Sequence, residues 1–356
     1  MTTSDELLGD VLRRVSRSFY LSLAILPRPL REPLGLAYLL ARAADTVADT
    51  RLIARAERLR HLDALRRAYA GQAADTAAVA IACAAHQAHT PERRLLERMD
   101  EALARVAALP AIDRGHVRAV LTTLADGMVV DLTRFPGQDA TTLSALETLA
   151  ELDHYTYLVA GCVGEFWTDL HIRHRPRLAG WDPAAMRLQG VRFGKALQMT
   201  NVLRDVPADL AHGRCYLPAR DLAGLGMRPA DLLDAASAAR ARPLLDRLLA
   251  LTLDHYDVAW RYTLAIPRRE WRMRLACAWP LLIGQATLEA LAAHPNPLAT
   301  APPLKIGRRT VRTILVRSVA TVWSDRALAG EAARRRARID ARLENLACAA
   351  RAPRAP

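Results

Sequence analysis

Apolar residues recur along most of the chain at intervals of three and four positions, the spacing that places side chains on one face of an α-helix. This periodicity begins near Asp5 and continues in long blocks. Short breaks rich in proline and glycine separate the blocks, at Pro27 to Pro33, at Pro110, at Pro136-Gly137 and at Arg175 to Pro183. The sequence contains no strand-like alternation of apolar and polar residues. The pattern therefore predicts an all-α protein built from many packed helices.

The periodic blocks follow one another without a long linker, an internal repeat or a change of composition, so we predict one domain over residues 1–330. Residues 331–356 are rich in Ala and Arg, and they predict a basic C-terminal helix followed by a tail. The most apolar window, Leu275 to Ala293, contains Pro280 and Glu289, which are unfavourable inside a bilayer. We expect this window to form a buried helix.

The chain of 356 residues has a formal net charge of +13 at pH 7. Almost all of the positive charge comes from arginine, because the lysines are limited to Lys195 and Lys305. Such an excess suits an anionic partner, which is a diphosphate, a membrane surface or a nucleic acid. Charge alone does not choose among the three.

The five cysteines are an odd number and have no C-x-x-C spacing, which indicates neither a disulfide framework nor a zinc site. The first residues lack the charged, then apolar, then small-residue order of a signal peptide. We therefore expect a cytoplasmic protein. Peripheral contact with the inner membrane surface stays open, because Arg-rich helices can rest on anionic lipid.

The first candidate site is the series Tyr38, Arg42, Asp45 and Asp49. At about 100° per residue, these four side chains fall within a sector of roughly 60° on one helical face. Carboxylates four residues apart repel each other on a helix, and a bound divalent cation relieves the conflict. Mg²⁺ is suited to this position, because it uses one or two carboxylates together with water and phosphate oxygens. The alternative is an exposed acidic helix end with Arg42 as an ordinary ion-pair partner.

The second candidate site has the same character, and its members are Gln198, Asn201, Arg204, Asp205, Asp209 and Arg214. Its amides and carboxylates project to one side if a helix persists to Asp209. Pro207 argues against that, because proline removes a hydrogen bond and clashes with the preceding turn. We expect a kink or a helix end near Leu203 to Asp205, or a new helix with Pro207 in its first turn. The alternative is again a solvated helix end with locally paired charges.

Two Asp-x3-Asp pairs about 160 residues apart, each preceded by an arginine, are more specific together than either is alone. They suggest opposed helices whose carboxylates share a metal cluster across a cavity. Arginines add bidentate contacts to a diphosphate. This is the chemistry of ionising an allylic diphosphate, in which metal and arginine neutralise the leaving group and an apolar cavity protects the carbocation from water.

Three blocks of sequence carry a resemblance to a known family: SRSFYLSLAILP with ARAADTVADT, then YTYLVAGCVGEFW, then QMTNVLRDVPADLAHGRCYLP. Over roughly residues 10–325 the chain resembles the squalene and phytoene synthases, which join two prenyl diphosphates head to head. The resemblance implies an isoprenoid synthase helical bundle around a central cavity. It also implies that Asp45 and Asp49 hold Mg²⁺ for one diphosphate, and that Asp205 and Asp209 hold Mg²⁺ for the other.

The same resemblance assigns further binding residues. Four arginines match family positions that contact diphosphate or support the acidic residues: Arg17, Arg42, Arg204 and Arg214. Tyr38, Gln198 and Asn201 share the faces of the two acidic pairs and are candidates for substrate binding. The chain departs from the usual D-x-x-E-D form of the second motif, because Ala208 stands where the family commonly has glutamate. That departure puts a third acidic group in doubt, but not the metal pair.

The middle block adds a candidate for proton chemistry. In the family the tyrosine matching Tyr155 is favoured for proton removal during cyclopropane formation, with diphosphate as an alternative base. Ala160, Gly161 and Gly164 follow it, and their small size permits close approach of a prenyl chain or of a neighbouring helix. Without the resemblance, a core tyrosine with a satisfied hydroxyl is the preferred interpretation of Tyr155.

The segment Leu275 to Val311 resembles the C-terminal region of squalene synthases, in which a basic Lys-x-x-Arg patch is associated with NADPH. Lys305 and Arg308 are the matching candidates. We therefore expect a squalene synthase, with a non-reductive phytoene, dehydrosqualene or hydroxysqualene synthase as the alternative. A non-catalytic basic module binding nucleic acid or membrane is a remote alternative, because four clustered carboxylates repel phosphates. We expect neither a nucleic acid nor an obligate protein partner.

Overall fold

The computed structural model describes residues 6–16, 19–298 and 304–351. Most of these residues are helical, which confirms the all-α prediction. The α-helices, numbered in chain order, are α1 Leu12–Ser16, α2 Phe19–Ala24, α3 Arg28–Asp49, α4 Arg55–Tyr69, α5 Thr76–Ala84, α6 Thr90–Glu97, α7 Met99–Ala108, α8 Ala111–Arg134, α9 Leu149–Thr156, α10 Cys162–His174, α11 Pro183–Ala211, α12 Ala219–Gly224, α13 Ala238–Ala265, α14 Trp271–Ala293, α15 Arg308–Thr321 and α16 Asp325–Arg351.

Shorter elements complete the described chain. Two segments are π-helical, Glu6–Val11 and Tyr157–Gly161. Five single turns are 3-10 helices: Ala140–Thr142, Pro176–Leu178, Pro229–Leu233, Ala235–Ser237 and Arg268–Glu270. Two very short strands, β1 Ser144–Ala145 and β2 Arg214–Cys215, pair in parallel with Ser144 opposite Arg214.

The described chain divides into two compact units. The first comprises Met1–Pro136 and His154–Gly194, and the second comprises Gly137–Asp153 and Lys195–Pro356. The prediction of one domain over residues 1–330 stays a prediction. Its proposed limit falls inside α16, because that helix already begins at Asp325.

Helix α3 organises the first unit and packs against α4, α7 and α8. Pro29 lies in its first turn, where the missing N–H of proline leaves no helix hydrogen bond unmade. Its buried face includes Leu36, Leu39, Leu40, Ala43 and Val47. This apolar face fixes the helix, and its polar face carries the first candidate site at the C-terminal end.

Helix α10 and the first part of α11 cross at very short range within the first unit. A Cβ atom added to Gly164 would lie 1.8 Å from the carbonyl oxygen of Gly190, and one added to Gly194 would lie 2.1 Å from that of Ala160. Only glycine fits at these crossing points. The small residues of this block were expected to permit close approach of a prenyl chain or of a neighbouring helix. At Gly164 it is a neighbouring helix that approaches closely.

Helix α14 forms the core of the second unit and packs against α13, α15 and α16. Buried hydrogen bonds join it to its neighbours: Trp260 Nε1 donates to Gln285 Oε1 at 3.2 Å, and Trp279 Nε1 donates to Ser318 Oγ at 2.8 Å. By length and composition the segment Arg268–Ala293 resembles a membrane span, but 72% of its most apolar window is buried within the protein. This agrees with the expected buried helix.

Candidate active site

The first acidic pair lies in the last turn of α3, at the end of a helix of 22 residues. Asp49 is exposed and the side chain of Asp45 is 41% exposed. The free carbonyl groups at this end carry partial negative charge, and the last turn contains no basic residue to offset it. Loss of hydration and the neighbouring Asp49 raise the pKa of Asp45 to about 6, against the opposing effect of Arg42. The position is therefore unfavourable for two anions unless a cation joins them.

Arg42 links this pair to a third carboxylate that sequence reasoning missed. Its Nη1 donates a hydrogen bond to Asp45, and its Nη2 donates one to Glu92 on α6. The side chain of Glu92 is 16% exposed and stands in the first turn of its helix, where the helix dipole favours an acid. Burial lowers the pKa of Arg42, but Asp45 and Glu92 outweigh that effect and raise it. Arg42 is therefore a fixed cation held between two helices.

Two further features surround Arg42. One turn earlier, the hydroxyl of Tyr38 donates a hydrogen bond to the carbonyl oxygen of Val15 at 3.4 Å. The Nε atom of Arg42 is buried and has no hydrogen-bond partner within the described residues. The structure thus brings Tyr38, Arg42, Asp45 and Asp49 onto one stretch of α3, as predicted. The predicted residue Arg17 lies outside the described residues.

The second acidic pair lies on the last two turns of α11, which runs unbroken from Pro183 to Ala211. The expectation of a helix end near Leu203 to Asp205 was wrong, and Pro207 lies inside the helix and does not start a new one. The expected kink stays a prediction. An internal proline costs about 3 kcal/mol. Apolar side chains around it are buried, with Leu203, Val206 and Leu210 all at 6% exposure or less, and their burial offsets this cost. Asp205 and Asp209 therefore keep the i, i+4 spacing.

Asp205 is held by its neighbour in sequence. Arg204 donates two hydrogen bonds to it, from Nε to Oδ1 at 2.7 Å and from Nη2 to Oδ2 at 2.5 Å. These bonds raise the pKa of Arg204 above its usual value, although burial acts against them. On the preceding turns, Asn201 Nδ2 donates to Gln198 Oε1 at 3.4 Å. The amides and the acidic pair therefore share one helix.

A tight turn after α11 returns Arg214 to the second pair. Gly213 has a φ of +77°, and a Cβ atom there would lie 2.7 Å from the carbonyl oxygen of Asp139, so the turn requires glycine. The pairing of β2 with β1 then fixes the backbone at Arg214. Asp209 and Arg214 line one small cavity together with Cys215 and Tyr216. The predicted residues of the second site thus all lie in the second unit, on the C-terminal half of α11 and on β2.

Tyr155 is buried, with 7% of its surface exposed, and lies next to the end of α9. The π-helical segment Tyr157–Gly161 follows immediately, and such segments are frequent at functional sites. Within it, the hydroxyl of Tyr157 donates to Glu165 Oε2 at 3.0 Å. Burial and this carboxylate raise the pKa of Tyr157 to about 12. The sequence offers no signal for this pair, because eight residues separate its members.

Lys305 and Arg308 lie at and just before the start of α15, and both are exposed. Neither has a hydrogen bond or an ion pair to any residue that the structure describes. The other lysine differs, because Lys195 is 8% exposed and its Nζ donates to Asp153 Oδ1 at 2.6 Å. The two predicted cofactor residues are therefore available to bind an anion.

The donor set fits Mg²⁺ that is shared with a ligand. Within the described residues, no group of three or more His, Cys, Asp or Glu side chains can hold a metal ion. Mg²⁺ needs only one or two carboxylates when phosphate oxygens and water complete its octahedron. Each aspartate pair satisfies that requirement, with an arginine beside it for the phosphate charge.

The sequence of the chain is similar to those of known proteins. The sequence profile of the squalene/phytoene synthases matches residues 12–312. A bifunctional lycopene cyclase/phytoene synthase of Phaeosphaeria nodorum is 30% identical over 249 residues, which are 70% of this chain but only 40% of that protein. A presqualene diphosphate synthase of Zymomonas mobilis is 30% identical over 253 residues, which are 69% of this chain and 67% of that protein.

The fold has a similar match among solved structures. The structure of TcSQS with the ligand E5700 aligns with a TM-score of 0.76 and 23% identity, over 97% of this chain and 96% of that one. The likeness confirms the predicted isoprenoid synthase fold. It carries no information on substrate or product.

Proposed function

The chain belongs to the squalene/phytoene synthase family of prenyltransferases, and from this premise we propose that it is a Mg²⁺-dependent squalene synthase. In the proposed reaction, two farnesyl diphosphates condense head to head to presqualene diphosphate, which is then reduced by NADPH to squalene. One observation carries the proposal: two long helices each end in an Asp-x3-Asp pair that has an adjacent arginine and no basic residue in the last turn. The presqualene diphosphate synthase among the relatives supports the choice of the first product.

The acidic pairs act by binding diphosphate. Bound Mg²⁺ supplies positive charge that stabilises the diphosphate as the allylic C–O bond breaks. Asp45 and Asp49 position one diphosphate, and Asp205 and Asp209 position the other. Arg42 is held by Asp45 and Glu92, so its remaining N–H groups point in a fixed direction. Arg214 stands beside Asp209 and adds a cation to the second site.

Tyr155 has the proposed role in proton removal. Forming the cyclopropane ring breaks the allylic C–O bond of one farnesyl diphosphate, one C–H bond at the same carbon and the C=C π bond of the other farnesyl diphosphate. It forms two C–C bonds and releases one diphosphate and one proton. Only 7% of the surface of Tyr155 is exposed, so its phenol can orient a proton acceptor in a place that admits little water. The diphosphate released in the same step is the alternative final base.

The reduction of presqualene diphosphate by NADPH distinguishes a squalene synthase from a non-reductive synthase. Lys305 and Arg308 are exposed cations that suit the phosphates of NADPH. A non-reductive synthase is the second candidate, and the phytoene synthase part of the relative from Phaeosphaeria nodorum favours it. In that case the second cation loses a proton or gains water, and NADPH has no effect.

The testing experiment incubates the purified chain with farnesyl diphosphate and Mg²⁺, with and without NADPH, and identifies extracted products by mass. We expect squalene only when NADPH is present and presqualene diphosphate when it is absent. Dehydrosqualene or hydroxysqualene regardless of NADPH supports the non-reductive alternative. Activity with geranylgeranyl diphosphate alone supports a phytoene synthase.

Variants connect the activity to the acidic pairs. We expect Asp45→Asn and Asp205→Asn each to reduce turnover by at least about 10²-fold, because each removes a charge that binds metal. Asp63→Asn is the matched control, since Asp63 pairs only with surface arginines on α4. Near-normal activity of both site variants would refute the role of the pairs. DNA binding that needs no Mg²⁺ and falls steeply with salt would instead favour the non-catalytic basic module.

A further inference from the structure

Helix α15 and the residues that flank it carry charges of one sign only. Residues 304–324 contain Lys305, Arg308, Arg309, Arg312 and Arg317 and no acidic residue. Most surface helices mix the two signs of charge, which favours solubility. This segment therefore carries positive charge alone, and Arg317 finds its carboxylate on α16, where Glu331 lies 3.7 Å away.

Two basic residues, followed by three exposed apolar ones, lie along one side of α15 and the turn after it. At about 100° per residue, a sector of roughly 80° of the helix contains Arg308, Arg312, Val316 and Val319. Trp323 follows in the turn after the helix. The three apolar side chains are exposed, Val316 at 71%, Val319 at 44% and Trp323 at 50%. We call these five residues the α15 stripe.

The opposite face anchors α15 to the protein. Ile314, Ser318 and Val322 are at most 4% exposed, and Ser318 accepts the hydrogen bond from Trp279 on α14. The helix therefore already has its core face buried. The apolar residues of the α15 stripe are additional to that face, which sets them apart from an ordinary amphipathic surface helix.

An aromatic and basic cluster extends the stripe at its C-terminal end. The ring centroid of Trp323 lies 6.1 Å from that of Trp271, and the guanidinium carbon of Arg272 lies 5.2 Å from the Trp271 ring centroid. Trp and Arg are the residue types that occupy the boundary between lipid headgroups and acyl chains. The cluster continues the chemistry of the stripe onto a second element.

A cavity beside the stripe adds further cations. It lies between α15 and α16 and has a mixed lining of threonines, apolar side chains and charged groups. The charged members of the lining are Arg309, Arg317, Arg334, Arg335 and Glu331. Four arginines against one carboxylate leave a positive excess at this end of the surface. Such a cavity suits the phosphate of a lipid headgroup.

We propose that the α15 stripe docks the protein onto the surface of an anionic lipid bilayer, with Val316, Val319 and Trp323 entering the headgroup region. The positive charge of the segment favours an anionic bilayer over a second copy of the chain as its partner. A symmetric dimer through the stripe would bring together two copies of a segment with five basic residues and no acidic residue to neutralise them, which is unfavourable. A nucleic acid would satisfy the arginines but would leave the exposed apolar residues without a partner.

The test uses the full chain and sedimentation with vesicles of phosphatidylcholine alone or of phosphatidylcholine mixed with phosphatidylglycerol. We expect clear binding only to the anionic vesicles, and weaker binding at higher salt because the Debye length shortens. Arg312→Gln should reduce the partition coefficient about fivefold. Val316→Glu should reduce it by at least as much, since it replaces an inserted apolar group with an anion.

A matched variant separates the stripe from a general loss of apolar surface. Ile81 on α5 is 73% exposed, close to the 71% of Val316, so Ile81→Glu makes the same chemical change elsewhere. We expect Ile81→Glu to bind anionic vesicles as the wild type does. Unchanged thermal unfolding of both variants would show that the fold is intact.

A second readout locates the contact. Brominated phosphatidylglycerol should quench part of the tryptophan fluorescence, and Trp323→Phe should remove most of the quenched part while binding persists. Equal binding to neutral and anionic vesicles, or equal binding by Val316→Glu and Ile81→Glu, would overturn the proposal. Dimerisation that Val316→Glu abolishes, in a chain that ignores vesicles, would also overturn it and assign the stripe to a second copy.

Discussion

Arg42 donates a hydrogen bond to Glu92, a residue 50 positions further along the chain. The contact ties α3 to α6 at the end of α3 that carries the first acidic pair. Asp45 accepts a second hydrogen bond from the same guanidinium. Glu92 therefore acts on the acidic pair through Arg42, as a positioning residue.

Glu92→Gln tests this role. The variant keeps the shape of the side chain but removes its charge, so we expect Arg42 to be held less firmly. We predict that turnover with farnesyl diphosphate falls about tenfold and that more Mg²⁺ is needed for half-maximal activity. Glu101→Gln is the control, because Glu101 pairs with Arg98 in the same unit. Equal kinetics for the two variants would contradict the positioning role.

Asp45→Asn should stabilise the protein when metal is removed with EDTA. The pKa of Asp45 is raised to about 6 by loss of hydration and by Asp49, so the folded chain holds this proton more tightly than the unfolded chain does. Stability is therefore lost as pH rises from about 4 through about 6. Because the side chain is 41% exposed, we expect a gain of only about 1 kcal/mol at about pH 7.5.

The pH dependence provides the check on that prediction. Thermal unfolding of the wild type and of Asp45→Asn should differ at about pH 7.5, and the difference should shrink below about pH 6 and vanish near about pH 4. Asp63→Asn should give no such gain, since its carboxylate forms surface ion pairs with Arg66 and Arg67. A lower melting temperature for Asp45→Asn at neutral pH would show that the carboxylate stabilises the metal-free fold.

Gly164→Ala should destabilise the first unit. The added methyl group would meet the carbonyl oxygen of Gly190 at 1.8 Å, and this atom belongs to the backbone and not to a flexible side chain. We expect a loss of about 2–3 kcal/mol in the free energy of unfolding. Gly115→Ala is the opposite case, because nothing lies within 4 Å of a Cβ atom there and the residue is helical. It should stabilise by about 0.5–1 kcal/mol, and denaturant unfolding measures both.

Asp325→Ala should destabilise the second unit by isolating a buried cation. Arg274 has no exposed surface, and its Nη2 donates to Asp325 at 2.5 Å. Because Asp325 is 41% exposed, we expect the free energy of unfolding to fall by about 2 kcal/mol, which is less than for a fully buried ion pair. Asp221→Ala removes the partner of the exposed Arg247 and should cost at most about 1 kcal/mol.

A double variant completes that comparison. Arg274→Met combined with Asp325→Ala removes both charges and keeps an apolar side chain in the buried position. We expect it to recover most of the stability lost in Asp325→Ala, because the unpaired charge causes the loss. Thermal unfolding of the three variants measures this recovery. No recovery would show that Arg274 acts mainly through its packing.

Local spacing explains what could be predicted from the sequence. Asp45 and Asp49 lie close together in any α-helix, because they are four residues apart. The helix itself is predicted by its apolar face, which includes Leu39 and Leu40. Contacts between segments that are far apart in the sequence leave no comparable pattern of residues. Thr90 and Pro91 mark a helix start before Glu92, but nothing in the sequence connects that acid to Arg42.

Pro207 shows why the local rule failed at one point. Its cost to the helix is a property of the residue itself, and it predicted a break. The compensating burial of Val206 and Leu210 is a property of the folded unit, so the sequence could not weigh it. The π-helical segment after Tyr155 is a similar case, because the extra residue in the turn follows from packing between helices.

The unequal burial of the two lysines has a practical consequence for labelling. Lys195 is enclosed and paired with Asp153, whereas Lys305 is exposed at the start of α15. Apart from the terminal amine, an amine-reactive dye should therefore attach to the folded protein at one side chain. A fluorophore placed there without any mutation would report the polarity around α15 in solution and on vesicles.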